Sequence, residues 1–341
     1  MTDFYTRLSA SVLPAETRLA VPHSWDRALT DLVRQPPSRV VVLGATDRGK
    51  STFCALLRHR LLASGTSTAL VDADVGQKDL GPPATISRGL ATPRTAPAQQ
   101  LTGHYFVGAI SPPGHLLPIA IGARRLAEAD GARVTLVDTP GMIQGAGRIL
   151  LQFLLESLRP EAVVALEHNG EAGALLAGAQ ACRQFRLPPP PTIAAKTADQ
   201  RRANRARGFR EHLVGASRQQ WPLDRLGIQR SLLFSGVPVA PGPHVYAEDT
   251  AEGRLVVGGP DTGEPGVRHL PAGFEANLLC GVVNAHGDCR GLARLRRIDF
   301  SGRYLEVITT VPSAQAAILQ LGDLYVRPDG YEQAGRRPRN L

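Results

Sequence analysis

The sequence has few cysteines, few lysines and no long apolar run, and these shortages exclude several classes of protein. Its four cysteines are scattered without a C-x-x-C pair, so neither a zinc site nor a disulfide framework is predicted. No apolar run reaches the roughly 18 residues that span a bilayer. Residues 1–21 contain no continuous apolar segment of the kind found in secretory signals. We therefore expect a cytoplasmic protein with no membrane partner.

Lysine is scarce although the chain is basic. Only three of the 39 basic residues are lysine, namely Lys50, Lys78 and Lys196. Such a bias is usually genomic and indicates a GC-rich prokaryotic source. A lysine that stands against this bias is a candidate for chemistry that needs lysine. The net charge of +9 favours a polyanionic partner without identifying it.

Apolar runs alternate with helical segments through the first part of the chain. Short β-branched runs predict buried strands, and helical spacing of apolar residues predicts helices. The predicted strands are Arg39–Leu43, Thr68–Val71, Arg133–Val137 and Ala162–Leu166, and the predicted helices are Trp25–Leu32, Ser51–Ala63, Arg148–Leu158 and Gly173–Phe185. This alternation predicts an α/β fold with a doubly wound, mostly parallel sheet and helices on both faces.

The pattern changes after a proline run at residues 188–191 and a polar stretch behind it. From about Leu226, short strand-like runs are separated by Gly, Pro and Asp; they are Ser231–Phe234, Arg254–Val257, Leu278–Val283, Tyr304–Ile308 and Leu324–Val326. They predict a small β-rich C-terminal domain. We expect a lead-in over residues 1–37, a main domain over 38–222, the β-rich domain over 223–331 and a basic tail over 332–341.

The segment GATDRGKS at residues 44–51 matches the phosphate-binding loop G-x-x-x-x-G-K-[ST] at every fixed position. It lies between a predicted strand and a predicted helix, where backbone N–H groups and the helix N-terminus favour phosphate. The Lys50 ammonium can reach β- and γ-phosphate oxygens, and the Ser51 hydroxyl can ligate Mg²⁺. The predicted nucleotide-binding residues are Gly44, Ala45, Thr46, Asp47, Arg48, Gly49, Lys50, Ser51 and Thr52.

Two carboxylates follow the second predicted strand, in Asp72-Ala-Asp74-Val-Gly-Gln77. In a doubly wound sheet the carboxyl ends of the strands line the ligand crevice. Residues two apart on an extended chain point the same way. One carboxylate could therefore hold Mg²⁺ through water, and the other could accept a proton from an attacking hydroxyl.

A D-x-x-G segment, Asp138-Thr-Pro-Gly141, follows the strand at Arg133–Val137. Such a segment senses the γ-phosphate in GTPases. A GTPase should also carry N-K-x-D, and the only candidate, at residues 195–199, lacks the asparagine and has the wrong spacing. This disfavours the GTPase interpretation.

Basic residues crowd the stretch Lys196–Arg210. Arg201 and Arg205 are four apart and would share a face of a helix. They could close over a transferring phosphoryl group, while the other arginines could hold a nucleic-acid backbone. A solvated helix face would explain the composition equally well, but the proline run before it favours a mobile lid.

Taken in this order, these segments resemble the polynucleotide 5′-hydroxyl kinase family. It comprises RNA 5′-kinases of the pre-mRNA cleavage, tRNA-splicing and pre-rRNA-processing type, with archaeal and bacterial relatives. The resemblance runs from about His23 to Asp329 and rests on Gly44–Thr52, Asp74–Gln77, Tyr105–Pro112, Thr139–Met142 and the R-x-x-x-R at Arg201 and Arg205. It implies a Mg²⁺-dependent phosphotransferase that moves the γ-phosphate of ATP or GTP to the 5′-hydroxyl end of RNA, or of DNA.

The resemblance also implies roles for single residues. Lys50 would contact the β- and γ-phosphates, and Ser51, or Thr52 beside it, would bind Mg²⁺ together with Asp74. Asp74 would also be the general base for the 5′-hydroxyl. Gln77 would help to position the metal or the nucleophile.

The remaining implied roles concern the acceptor and the lid. Thr139, Gly141 and Met142 would form a clasp on the nucleic-acid end. Several members have Trp at the position of Met142, so stacking on a terminal base would be weaker here. Arg201 and Arg205 would neutralise the γ-phosphate from a lid over about 196–212, within a kinase domain of 38–222.

Two other functions fit part of the pattern. A catalytically silent NTP-binding scaffold of an RNA-processing complex would retain nucleotide without turnover. A GTPase-like switch would hydrolyse NTP without an acceptor. The intact Lys50, Ser51, Asp74 and Arg201 argue against the scaffold. No segment identifies a protein partner.

Overall fold

The computed structural model describes residues 21–96 and 98–333, and the chain forms two compact units. The first unit extends to Arg201, and the second begins at Arg202. The domain limit predicted between residues 222 and 223 falls inside the second unit. Residues 1–20 of the predicted lead-in and the predicted basic tail from residue 334 onward lie outside the described residues.

The first unit is built on one mixed sheet. Its strands are β1 (Arg39–Gly44), β2 (Thr68–Asp72), β3 (Thr85–Ala91), β4 (Gln100–Phe106), β5 (Val134–Asp138), β6 (Ala162–Leu166) and β7 (Arg183–Leu187). They lie in the order β7-β6-β1-β5-β2-β3-β4. The strands from β7 to β2 are parallel, whereas β3 and β4 extend the sheet in antiparallel fashion.

Helices cover both faces of this sheet. They are α1 (His23–Arg34), α2 (Lys50–Ala63), α3 (Leu116–Ala127), α4 (Ala146–Leu158) and α5 (Gly173–Ala177). A further helix, α6 (Ala198–His212), begins in the first unit and continues into the second. Alternate residues of β1 face opposite sides. Val40 and Val42 lie in the core that contains α1 and α2, whereas Val41 and Leu43 lie in the core that contains α3 and α4. The predicted mostly parallel α/β fold with helices on both faces is confirmed.

The second unit is rich in strands. They are β8 (Ser217–Pro222), β9 (Gly227–Gln229), β10 (Val237–Pro238), β11 (Tyr246–Thr250), β12 (Gly253–Val257), β13 (Val267–Leu270), β14 (Leu278–Val283), β15 (Cys289–Asp299), β16 (Tyr304–Thr309) and β17 (Ile318–Tyr325). Successive pairing joins β8, β16, β15, β14, β17 and β9, and a second sheet has the order β10-β11-β12-β13. A separate apolar core, which includes Trp221 and Leu295, lies in this unit. The predicted β-rich C-terminal region is confirmed.

Two predicted elements are wrong. The predicted helix Gly173–Phe185 ends at Ala177, and Arg183–Leu187 forms β7, because these residues pair with the free edge of β6. The predicted strand Ser231–Phe234 is a turn. Phe234 there has φ +66°, and its N–H donates to the buried Glu248 carboxylate at 2.7 Å. Both differences come from distant partners that local patterns do not reveal.

The four cysteines, which all lie within the described residues, form no disulfide bond with one another. Within residues 21–96 and 98–333, no helix combines the length and the apolar character needed to cross a membrane.

Candidate active site

The loop between β1 and α2 has the backbone of a phosphate cradle. Strand β1 ends at Gly44, and α2 begins at Lys50. Gly49 has φ +92°, and a Cβ at that position would lie 2.3 Å from Cδ1 of Ile193. Glycine is therefore required at this position. The loop places its N–H groups and the positive end of α2 at the carboxyl edge of the sheet, an arrangement suited to anions.

Lys50 and Ser51 occupy the first turn of α2, with Thr52 following on the same turn. The Lys50 side chain is buried, and its Nζ donates to the carbonyl oxygen of Ala45 at 3.0 Å. The Ser51 hydroxyl donates to Oδ2 of Asp138 at 2.6 Å. The Lys50 ammonium thus contacts the phosphate-binding loop, and the Ser51 hydroxyl contacts the last residue of β5.

Asp138 is a candidate functional residue that sequence reasoning did not include in the site. It ends β5 and is buried, which raises the pKa of its carboxyl to about 7 although the nearby Lys50 opposes the shift. Its Oδ1 has no hydrogen-bond partner among the described residues. Oxygen donors of this kind suit a hard divalent cation, so Ser51 and Asp138 form a donor set that could hold one. The signal was the D-x-x-G segment that follows the strand.

Asp74 and Gln77 lie in the loop after β2. Oδ1 of Asp74 accepts the N–H groups of Gly76 at 2.8 Å and Gln77 at 2.9 Å. The Gln77 amide donates to Gly76 O at 3.0 Å and lies 3.5 Å from Arg201 O, while its Oε1 is buried without a partner among the described residues. Asp74 is partly exposed, and it follows the carboxyl end of β2 by two residues.

Asp72 is more deeply buried than Asp74. It is 2% exposed, and burial raises the pKa of its carboxyl to about 6. Its oxygens accept the N–H groups of Asp74, Asp79 and Leu80. Of the two carboxylates in the predicted pair, Asp72 is therefore the one whose hydrogen bonds fix the backbone of the loop after β2.

The predicted clasp lies against the phosphate-binding loop. Thr139 is fully buried, and its hydroxyl donates to Val42 O at 2.7 Å. A Cβ at Gly141 would lie 2.5 Å from Oγ1 and 2.8 Å from Cα of Thr46, so this glycine permits the close approach. Met142 is partly exposed. The structure thus joins Gly141 to the loop and uses the Thr139 side chain to tie β5 to β1.

The predicted lid arginines have different partners. The Arg201 guanidinium forms an ion pair with Asp47 in the phosphate-binding loop, and the N–H of Lys196 donates to the same carboxylate at 3.2 Å. Arg205 belongs to the second unit, where its guanidinium pairs with Glu332. The loop residue Arg48 lies 3.3 Å from the Glu171 carboxylate. Of these two arginines, Arg201 is therefore the one that contacts the phosphate-binding loop.

A model of the mRNA cleavage and polyadenylation factor CLP1 P-loop family matches residues 44–215, just over half of the 341 residues. The chain belongs to this family. The match spans the phosphate-binding loop, the Asp74–Gln77 segment, the predicted clasp and the two predicted lid arginines. The resemblance inferred from the motifs is thus confirmed, and membership in a P-loop kinase family implies a nucleotide substrate.

Curated relatives of this CLP1-family chain agree with that assignment. The polyribonucleotide 5′-hydroxyl-kinase of Pyrococcus furiosus is 29% identical over 323 residues, which cover 87% of this chain and 90% of the relative. The protein of the same name from Methanocaldococcus jannaschii is 26% identical over 299 residues, covering 81% of this chain and 83% of the relative. A solved structure of a wild-type Clp1p–Pcf11p complex matches the fold, with a TM-score of 0.58 at 14% identity, over 88% of this chain and 77% of that one.

Proposed function

We propose that the protein is a polynucleotide 5′-hydroxyl kinase, which transfers the γ-phosphate of ATP or GTP to the 5′-hydroxyl of RNA and, as a second acceptor, of DNA. The observation that supports the proposal is a set of contacts at the phosphate-binding loop, where Lys50 bonds to Ala45, Ser51 bonds to Asp138 and Arg201 pairs with Asp47. Gln77, from the segment that carries Asp74, lies 3.5 Å from the carbonyl oxygen of Arg201. The names of the archaeal relatives support the same reaction.

Nucleotide binding in this proposal uses the loop from Gly44 to Thr52. The backbone N–H groups surround the β-phosphate, and Lys50 exchanges the Ala45 carbonyl for β- and γ-phosphate oxygens. Ser51 and Asp138 would hold Mg²⁺, with Asp74 as a further carboxylate, and the ion would supply neutralising charge for the β- and γ-phosphates.

The acceptor step in this proposal depends on Asp74. Its Oδ1 is fixed by two backbone N–H groups, so the carboxylate has one orientation and can take the proton of the 5′-hydroxyl. Gln77 lies beside it and positions the nucleophile. Gly141 and Met142 hold the nucleic-acid end, and Thr139 fixes this clasp by its bond to Val42.

Charge neutralisation in this proposal comes from Arg201 and Arg205. Arg201 is near the loop already, and it exchanges Asp47 for the γ-phosphate when the nucleotide is bound. Arg205 adds a second guanidinium after it leaves Glu332. Because phosphoryl transfer needs little covalent work from the protein, placement and charge supply most of the rate.

The test is a transfer assay with the full chain, γ-labelled ATP or GTP, Mg²⁺ and an oligonucleotide with a 5′-hydroxyl. Single-stranded RNA, double-stranded RNA and single-stranded DNA serve as parallel acceptors. We expect label on the 5′ end and none on an oligonucleotide that already carries a 5′-phosphate. Absence of transfer to every acceptor with both nucleotides would reject the proposal.

Two variants assign the roles. Lys50→Ala and Asp74→Asn should both abolish transfer while the protein stays folded, and Asp74→Asn should still bind nucleotide. A fully active Asp74→Asn protein would remove Asp74 as the base. NTP retention without turnover would favour the scaffold, and hydrolysis without an acceptor would favour the switch.

A further inference from the structure

Lys78 is a buried cation directly after the Asp74–Gln77 segment. Its side chain is 2% exposed, and its Nζ lies 3.0 Å from Oδ1 of Asp72, whose side chain is 3% exposed. The same ammonium donates to the Asp72 carbonyl oxygen at 2.5 Å. One lysine therefore binds both the backbone and the carboxylate of the residue that ends β2.

Asp72 in turn holds both ends of the loop. Its Oδ1 lies 3.2 Å from the N–H of Asp74, and its Oδ2 accepts the N–H groups of Asp79 at 3.0 Å and Leu80 at 3.1 Å. The chain between these points contains Asp74, whose Oδ1 caps Gly76 and Gln77. The geometry of the segment 74–77 is thus set by two carboxylates, of which one is compensated by Lys78.

We infer that Lys78 is a positioning residue for the proposed base, because by clamping Asp72 it fixes the loop that presents Asp74 and Gln77. The inference rests on the proposed kinase activity. An uncompensated carboxylate at the buried Asp72 site would be costly. Without Lys78 the loop would have to rearrange to admit water or another cation. A displacement of the reacting group by about 1 Å costs on the order of 100-fold in rate.

A purely structural role explains less. Buried ion pairs seldom stabilise a fold more than well-packed apolar residues of the same volume do. Lysine is also one of the scarcest residues of this chain, with three among 39 basic side chains. A compact ammonium can bind two oxygens of one residue in a small space, which a planar guanidinium does less well.

The experiment compares Lys78→Met with the parent protein in steady-state transfer at saturating nucleotide, with the oligonucleotide concentration varied. We expect kcat to fall by about 10- to 100-fold, while the Kd for the nucleotide and the KM for the oligonucleotide stay within about 2-fold. The split is expected because Lys78 contacts Asp72, whereas Lys50 and the loop hold the nucleotide. Rates are expressed per nucleotide-binding molecule, so that a loss of folded protein does not count as a loss of rate.

Arg88→Met is the matched control. Arg88 is a buried cation of the same unit, and its guanidinium bonds to Thr102 and to the carbonyl oxygens of Ala129 and Asp130, which precede β5. Its loss should lower stability and leave kcat per binding-competent molecule unchanged. An equal fall of kcat in Arg88→Met would mean that general destabilisation explains both variants and would overturn the inference.

If Lys78→Met does not fold, the double variant Asp72→Asn/Lys78→Met tests the inference instead. It removes both charges and should recover stability without recovering kcat. Full kcat in this variant, or in folded Lys78→Met, would overturn the positioning role. Lys78→Arg keeps the charge and should retain more rate than Lys78→Met. If the parent protein itself shows no transfer, the proposed function fails before Lys78 is tested.

Discussion

At the scale of the residue, the candidate site depends on glycines, which have no side chain, as well as on its charged residues. Gly141 lies so close to Thr46 that any Cβ would press on the phosphate-binding loop. Gly173, at the start of α5, has nothing within 4 Å of a Cβ built on it. Alanine substitutions at these two glycines of the first unit therefore compare a position where a methyl group meets the loop with one where it meets no atom within 4 Å.

Gly141→Ala should therefore weaken nucleotide binding by about 10-fold or more, since overpacking of this kind costs roughly 1–3 kcal/mol and must be relieved by moving the loop. Gly173→Ala should bind nucleotide as the parent does. The measurement is the nucleotide Kd by titration calorimetry. Equal affinities in both variants would show that the clasp can shift without disturbing the loop.

The buried Asp138 carboxyl makes the stability of the metal-free protein depend on pH. Its pKa is about 7 in the folded state against 3.8 for the unperturbed group. Because the folded pKa is raised, the contribution to stability is full below about pH 4 and is lost as the pH rises towards 7, with a slope of at most about 1.4 kcal/mol per pH unit.

Asp138→Asn should flatten this dependence. We expect a smaller fall in the free energy of unfolding between pH 4 and pH 7 in urea denaturation with a chelator present. Asp72, whose pKa burial raises to about 6, acts in the same direction, so the slope should be reduced and not removed. An unchanged slope would mean that Asp138 does not titrate in this range.

At the scale of the element, helix α6 carries the proposed lid. Its residue Arg201 pairs with Asp47 of the loop, whereas Arg207 on the same helix is exposed, donates to Oδ1 of Asn204 at 3.2 Å and lies 4.0 Å from the Glu211 carboxylate. The two arginines have the same helical context and different surroundings.

Arg201→Ala should lower kcat for transfer by at least about 10-fold and change nucleotide Kd less, because an arginine that stabilises the transferring phosphoryl group acts mainly in the transition state. Arg207→Ala should behave as the parent. Steady-state kinetics with a nucleotide-binding titration separate the two quantities. An unchanged kcat in Arg201→Ala would count against the lid.

Elements also show how far local pattern reaches. The strand at 39–43 and the helix at 51–63 were predictable from β-branched runs and helical spacing, because each buries its own apolar residues. The strand β7 was not predictable, because Arg183–Leu187 becomes a strand by pairing with β6 and its own burial is weak. The turn at 231–234 likewise depends on Glu248 from another strand.

At the scale of the whole molecule, each of the two units contains one of the two tryptophans. Trp25 is fully buried in the first unit, where its Nε1 donates to Pro188 O at 2.9 Å. Trp221 is 2% exposed in the core of the second unit. Single-tryptophan variants, Trp221→Phe and Trp25→Phe, therefore report on the unfolding of one unit each.

Nucleotide with Mg²⁺ should stabilise the transition reported by Trp25 more than the one reported by Trp221, since the phosphate-binding loop lies in the first unit. At a nucleotide concentration of about 100 times Kd, linkage predicts about 2.7 kcal/mol. The measurement is fluorescence-detected denaturation with and without nucleotide, and Lys50→Ala should remove the shift. Equal shifts at both tryptophans would mean that the units unfold together.

The sequence by itself determined the α/β class, the phosphate-binding loop, the acidic segment after β2 and the arginine stretch, because each is written in contiguous residues whose spacing has a direct physical reason. Only the tertiary structure decided which of these groups meet. In the structure Ser51 bonds to Asp138 and Arg201 pairs with Asp47. Asp72 and Lys78 form a buried ion pair beside the loop that contains Asp74. Most of these partners are far apart along the chain, and their burial depends on the surrounding fold. A local sequence pattern therefore does not predict these contacts.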